Sequence, residues 1–303
     1  TWGGFVGAVS GMNDQGLSVT INAAKTDLPT GSATPVSIVT REILQYAKNI
    51  EEAIAIAKSR KMFVSESFLV ASANDNKAVI IEKTPDALDV YDPHKDFIVC
   101  ANHFQSPALS KTKMNIEQEN ESASSYRYKR MMELIDAGGK NSANIGMGNE
   151  KAINQLIAHH SIVFEPKKLL VWVSTSPWQL GEYVAYDLNK IFALHGLKDN
   201  HEIADSSLTI APDSFLLTTA YKNFIVFRTL KQHILDGGKV NVDSLIASNP
   251  EFYNTYVLAG DYLYKQKNYT AALRNYQIAL TKVIATKKEE DHIKPQIDRI
   301  NKK

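Results

Sequence analysis

The chain has a single cysteine, Cys100, among its 303 residues. No disulfide can form within it, although that alone does not fix its compartment. It has no uninterrupted apolar run of about eighteen residues, the length from which a membrane-spanning helix is built. Excess charge is also scarce: 34 Lys and Arg stand against 33 Asp and Glu, a net of +1. Without a basic stripe, nothing supports nucleic acid or an anionic membrane surface as a partner. Metal-ligand spacing is missing, both as His-Glu-x-x-His and as clustered Cys and His, so no metal is expected. The phosphate loop, the dinucleotide fingerprint and the Gly-x-Ser-x-Gly elbow are absent too, and no cofactor is expected. Localisation and oligomeric state stay open at this level.

What is present begins with two asparagines eighty positions apart. Asn22 closes the run Gly16-Leu17-Ser18-Val19-Thr20-Ile21, and Asn102 follows Val99-Cys100-Ala101 and precedes His103-Phe104. Both runs have the alternation of half-buried strands. An amide at the tip of such a strand can aim its NH2 group at a developing negative charge, and two can converge on one such charge. The alternative for each is a turn-capping side chain, a common use of Asn.

With 44% hydrophobic residues, the composition is that of an ordinary globular chain with room for about two domains. Residues 1–200 mix strands and helices. Phe5 to Ser10 and Leu17 to Ala23 read as a hairpin around Gly11 to Gly16. Val36, Val39, Ile43 and Tyr46 recur at helical period, and a second helix over Glu51 to Arg60 has Asn49 as its N-cap and Ile54 and Ala57 inward. Ser67 to Ala73, Ala78 to Lys83, Ala87 to Tyr91 and Phe97 to Ala101 form a predicted antiparallel meander. A polar stretch over 105–125 leads to a helix from Tyr126 to Ala137, stopped by Gly138-Gly139. A helix from Glu150 to Ala158 and the strands Ser161 to Phe164 and Leu169 to Ser174 follow. Strands in series with paired helices give an α+β class.

Residues 210–303 change texture to all helix, with one helix expected over Phe215 to Leu235 and a shorter one over Val242 to Ala247. Tyr256, Gly260, Tyr269, Ala272, Tyr276, Ala279 and Leu280 fall at tetratricopeptide-like spacings, a repeat spanning 253–286. One such unit cannot bury its own face, so it is expected to pack with the preceding helices. Lys287 to Lys303 is expected to cap the stack as a solvated helix.

The ordered set Gly11-Met12-Asn13-Asp14-Gln15-Gly16-Leu17-Ser18-Val19 through Asn22, Thr40-Arg41-Glu42-Ile43-Leu44, Ile80-Ile81-Glu82-Lys83-Thr84 and Ala101-Asn102-His103-Phe104 resembles the penicillin acyltransferase-like branch of the N-terminal nucleophile hydrolases. That branch is related to the choloylglycine hydrolases and acid ceramidase. The resemblance continues through Ser125-Tyr126-Arg127-Tyr128-Lys129-Arg130-Met131 and Leu170-Val171-Trp172-Val173-Ser174 and covers about the first two-thirds of the chain. It implies a four-layer α/β/β/α sandwich of antiparallel sheets, and either hydrolysis or acyl transfer on a small-molecule N-acyl amide or acyl donor. The nucleophile it implies is a cysteine that autoproteolysis exposes as a new N-terminus, whose free amine is the base. By the same resemblance, Asn22 matches a donor of the oxyanion hole, and Asn102 the residue that contacts the nucleophile's amine and the reacting carbonyl.

The nucleophile and the Arg and Asp that accompany it are expected some tens of residues ahead of Thr1-Trp2-Gly3-Gly4. Cys100 sits inside an apolar run and offers neither a depressed pKa nor a base, and free Cys is most often a small buried hydrophobe. Thr1 is the alternative nucleophile, since its own amine can activate an N-terminal threonine. His103 and His160 are candidate substrate-binding residues. His103 has loop-holding as its alternative role, and His160 the capping of a carbonyl at a helix end. In relatives an arginine lies near His159-His160; Ala158 aligns nearest to it, and His160 is the residue able to donate in its stead. Trp172, Trp178 and Tyr183 are candidates for an apolar acyl pocket, or else core. The competing functional class is a non-catalytic scaffold whose helical tail docks a protein partner.

Overall fold

The computed structural model describes residues 3–26, 31–136, 153, 157–194 and 202–302. Among them the architecture is α+β, with two antiparallel sheets, ten α-helices and a helical C-terminal region. Contacts divide the chain into two compact units, one of Thr1–Glu119 with His160–Ala211 and one of Asn120–His159 with Pro212–Lys303.

The first unit is organised on a five-stranded sheet in the order β1 (Ser10–Met12), β2 (Leu17–Ala23), β3 (Glu66–Ser72), β4 (Lys77–Lys83) and β5 (Leu88–Tyr91). Every neighbouring pair is antiparallel and consecutive in sequence; short turns join β1–β2, β3–β4 and β4–β5, while the β2–β3 connection carries two helices. The first hairpin is tighter than its sequence pattern suggests: the strand expected over Phe5 to Ser10 pairs only from Ser10 onward. Residues before Ser10 turn to the helix Val36–Tyr46 instead, Ala8 N–H donating to the Ser37 carbonyl and Arg41 to the Val6 carbonyl, while Asn13 shapes the turn. Its Oδ1 accepts from Gln15 and Leu17 N–H groups, while its Nδ2 donates to the Leu44 and Ala47 carbonyls, so the turn is fastened to a helix end. Gly16 closes the turn at φ +68, and a Cβ there would lie 2.8 Å from both Ala73 Cβ and the Pro166 carbonyl oxygen, so glycine is required twice over.

Side-chain alternation separates the two faces of this sheet. Leu17, Val19, Phe68, Val70, Val79 and Ile81 point toward helices α1 (Val36–Tyr46) and α2 (Ile50–Ser59), burying Val39, Ile43, Ala53 and Ala57 in one apolar cluster. Each of the larger side chains contributes about 1.5–3 kcal/mol by leaving water. Asn49 caps α2 by accepting from Glu52 N–H at 2.9 Å. Tyr46, expected on the inner face of α1, is instead 68% exposed, and Ala47 takes the buried place one residue later. The opposite face of the sheet carries Ser18, Thr20 and Asn22, then Ser67 and Leu69, then Ile80 and Glu82.

The expected strand over Phe97 to Ala101 is not one: the backbone there pairs with no ladder, although Val99 and Ala101 are buried. The stretch at 105–125 holds helix α3 (Lys113–Glu121), which its low apolar content concealed, and α4 (Ser124–Asp136) follows. The Gly138-Gly139 stop and most of the helix expected over Glu150 to Ala158 lie outside the described residues. A three-stranded sheet, β6 (Ile162–Glu165), β7 (Leu170–Ser174) and β8 (Tyr183–Asp187), completes the strands, with α5 (Leu188–Phe192) after it. β8 was not anticipated.

In the second unit a 3-10 turn at Ser214–Leu217 precedes α6 (Thr219–Leu235). The single helix expected from Phe215 is broken because Thr218 caps α6 through Tyr221 N–H. Helices α7 (Val242–Ser248), α8 (Tyr253–Lys265), α9 (Tyr269–Leu280) and α10 (Lys287–Asn301) follow. α8 and α9 form a hairpin in which Gly260 lies against the Tyr276 ring and Tyr264 meets Tyr269. α10 is amphipathic rather than wholly solvated, since Ile293 and Ile300 are buried in the same cluster.

Candidate functional site

At its far end β2 meets the segment that carries Asn102. Asn22 donates from Nδ2 to Sγ of Cys100 at 3.3 Å, and Asn102 donates from Nδ2 to the carbonyl oxygen of Ala23 at 2.9 Å. Consecutive residues of β2 therefore touch Cys100 and Asn102, and the fold brings the two asparagines to one junction across eighty positions of sequence. Each carboxamide has two N–H donors, and both side chains are only half-buried.

The segment 97–106 has no ladder to hold it, and side chains take that part. Glu82 is 0% exposed; its two carboxylate oxygens accept from the backbone N–H groups of Gln105 (2.6 Å) and Ser106 (3.0 Å). Asp89 on β5 accepts from Ala108 N–H at 3.1 Å. Gln105 donates from its side chain to the Val99 carbonyl at 2.8 Å. Asn115 of α3 accepts from Phe104 N–H (2.6 Å) and donates to the Phe104 and Ser110 carbonyls. Burial pushes the Glu82 carboxyl up from its ordinary range, with the Gln105 and Ser106 N–H groups opposing that rise. For Asp89 burial also acts upward, but the N–H groups of Ala108 and Val90 outweigh it and the pKa falls. Neither Glu82 nor Asn115 stood out in the sequence as functional. The signal for Glu82 was a carboxylate ending the apolar run Ala78-Val79-Ile80-Ile81.

The cross-strand register aligns Asn22 with Ser67, Ser67 with Glu82 and Glu82 with Asp89. These four side chains share the face away from α1 and α2. The next row, Ala23, Glu66 and Lys83, points the other way. Glu66 and Lys83 are both buried and directly opposite, yet no ion pair joins them, and Oε1 of Glu66 has no hydrogen-bond partner. Burial pushes the Glu66 carboxyl up to about 8 and the Lys83 ammonium down.

A cleft of about 670 Å³ opens at the same end of the sheet, walled by Lys25, Met62, Ser65, Thr84, Phe104 and Leu109 among others. Ser65 ties it to the asparagine junction, because its carbonyl accepts from Ala24 N–H at 3.1 Å. Neither asparagine lines the cleft. His103 is buried beside Asn102. His160 is half-buried two residues before β6 begins and is not a wall residue of the cleft. Trp172, Trp178 and Tyr183 also lie away from it, on and beside the three-stranded sheet, where Trp172 Nε1 donates to the Leu208 carbonyl at 2.9 Å. The described residues contain no cluster of three or more His, Cys, Asp or Glu able to hold a metal ion, and no helix among them is long and apolar enough to cross a membrane.

Comparison with known proteins adds the family. No curated protein matches the chain in sequence. Among solved structures, a variant of conjugated bile acid hydrolase from Clostridium perfringens overlaps 63% of this chain and 75% of its own at 16% identity and a TM-score of 0.38, a likeness too loose to carry weight. The family model described as acyl-coenzyme A:6-aminopenicillanic acid acyl-transferase matches residues 3–165, just over half of the chain. That span contains all five strands of the larger sheet, both asparagines and the side chains that anchor the Asn102 segment, and the chain belongs to the acyl-coenzyme A:6-aminopenicillanic acid acyl-transferase family.

Proposed function

We propose that the protein is an amidohydrolase or acyltransferase acting on a small-molecule N-acyl amide, with Asn22 and Asn102 as the donors that stabilise the oxyanion. The observation that supports this reading is that Asn22 bonds Cys100, two residues before Asn102, while Asn102 bonds the carbonyl of Ala23, the residue after Asn22. In the reaction a nucleophile attacks the amide carbon, and the carbonyl π electrons move to oxygen. The resulting oxyanion accepts N–H groups from the two side chains. Collapse breaks the carbon–nitrogen bond, the amine leaves with a proton from the nucleophile's own α-ammonium, and water or a second amine then takes the acyl group. Preorganised donors matter here because charge appears on oxygen only as the barrier is climbed; one such donor is worth roughly 3 kcal/mol. In the resting structure the Asn22 donor faces a thiol sulfur, a weak acceptor that an oxyanion readily replaces.

The nucleophile in this reading is an N-terminal cysteine exposed by autoproteolysis, as the family resemblance implies. Cys100, the one cysteine among these 303 residues, is not that group: its nitrogen is locked in a peptide bond and cannot serve as the base. A panel of N-acyl amides tests the reading in protein that includes the nucleophile. Asn102→Ala is expected to lower kcat by about a hundredfold, the loss of a transition-state contact, while costing stability no more than about 1 kcal/mol for the partly exposed bond to the Ala23 carbonyl. Full turnover in Asn102→Ala would remove the asparagine from the chemistry. Turnover by residues 1–303 alone, abolished by Thr1→Ala, would move the nucleophile to Thr1.

A further inference from the structure

We propose that Glu82 is a positioning residue of this site, holding the backbone N–H groups of Gln105 and Ser106 so that the preceding segment presents Asn102 to the end of β2. This rests on the reading of Asn102 given above, but its structural part stands on separate observations.

The segment 97–104 carries the asparagine without strand pairing. Its position is therefore set where side chains grip it, and Glu82 grips it three residues after Asn102. A carboxylate is suited to that task because it offers only acceptors, and two adjacent N–H groups are both donors. The two bonds, 2.6 and 3.0 Å, use one oxygen each. Charge-assisted bonds of this kind are stronger than neutral ones. Glu82 also stands on the same cross-strand row as Asn22, with Ser67 between them. One rigid row of the sheet thus carries one asparagine directly and governs the other through the segment. Asp89, next on that row, takes the N–H of Ala108, so the hold extends along the turn that follows.

The test uses the isotopically labelled 303-residue chain and Glu82→Gln. The amide keeps the size of the side chain but replaces one acceptor with a donor, leaving a buried N–H facing an NH2 group. Amide hydrogen exchange at Gln105 and Ser106 is expected to speed up by about tenfold or more, while Leu69 and Val70 in β3 keep their protection. The carboxamide NH2 signals of Asn102 are expected to shift together with that change. Asp89→Asn is the control, releasing Ala108 while leaving the Asn102 signals in place. Where the nucleophile is present and an N-acyl amide is turned over, Glu82→Gln lowers kcat by about tenfold with KM within about twofold, the split expected when a transition-state contact is displaced. Should Glu82→Gln fail to fold, Glu82→Asp, which keeps the charge but is one methylene too short for both N–H groups, carries the same expectations. Unchanged exchange at Gln105 and Ser106, or released exchange with unmoved Asn102 signals, overturns the proposal, as does an unchanged kcat. If the wild type turns over no N-acyl amide, the functional reading fails, and the exchange and carboxamide signals alone decide the role of Glu82.

Discussion

Glu66→Gln should stabilise the protein by an amount that grows with pH. Glu66 lies on the helix-facing side of β3, 4% exposed, with Oε1 unpartnered and Lys83 opposite but unpaired. Its pKa moves from 4.5 to about 8 because burial penalises the carboxylate. An acid whose folded pKa is raised binds more protons in the folded than in the unfolded chain between those two values. Stability therefore falls as pH rises from 4.5 to about 8 and levels off above that. At 1.36 kcal/mol for each pKa unit, the loss between pH 5 and pH 9 is about 4 kcal/mol, an order-of-magnitude figure. Glutamine has nearly the same shape and does not titrate, so it escapes this loss. Urea unfolding of both proteins at pH 5, 7 and 9 isolates the effect, because the other titrating groups cancel in the difference. The expected difference is below about 1 kcal/mol at pH 5 and largest at pH 9. A difference that stays flat across this range would refute the reasoning. It would mean that Glu66 is ionised in the folded protein and compensated, with Lys83 as the obvious partner.

Other expectations concern packing and the anchoring of the loop. Gly260→Ala gains roughly 1 kcal/mol of helix propensity, but its Cβ would sit 2.7 Å from the Tyr276 ring. That ring is buried and tethered to Asp261 at 2.6 Å, so overpacking of about 1–3 kcal/mol prevails, and a lower thermal midpoint by circular dichroism is expected rather than a higher one. Asn115→Ala strands the buried Phe104 N–H and removes three further hydrogen bonds, to the Phe104 and Ser110 carbonyls and the Glu119 carboxylate. It should cost about 2–4 kcal/mol in urea unfolding. A change under about 0.5 kcal/mol would show that solvent replaces the clamp at little cost.

The parts of the fold that were legible are those where burial and backbone pairing coincide. β2 and β5 alternate in sequence because one face of each packs toward α1 and α2, β3 and β4 read as short apolar runs, and the boundaries of all four fall within a residue of the expected ones. Phe97 to Ala101 alternates for a different reason. Val99 and Ala101 are buried, but the backbone is anchored by side chains from β4 and α3, and periodicity reports burial rather than pairing. Tyr46 shows the limit in helices: a one-residue change of phase puts Ala47 inside and the aromatic ring in water. Ile293 and Ile300 were masked by the charges around them. At the site, Asn22 and Asn102 were visible as amides ending apolar runs. The roles of Glu82 and Asn115 depend on which N–H groups lack a ladder partner, a property of the fold that residue order does not display. His160 was named for its place near the relatives' arginine and the tryptophans as aromatics beside a strand; none of them is a wall residue of the cleft.

The strand lengths of the larger sheet also bear on how the protein behaves in concentrated solution. Three seven-residue strands, β2 to β4, lie inside, and the borders are β1 with three residues and β5 with four. An exposed border is a template for another chain, and its reach scales with the number of free N–H and C=O groups it displays. Here the sheet tapers, so an incoming strand finds only a few groups to pair with on either side. Asp89, on the β5 border, adds a charged side chain already committed to Ala108. Edge-to-edge stacking of sheets into fibrils is thereby restrained by the outline of the sheet itself.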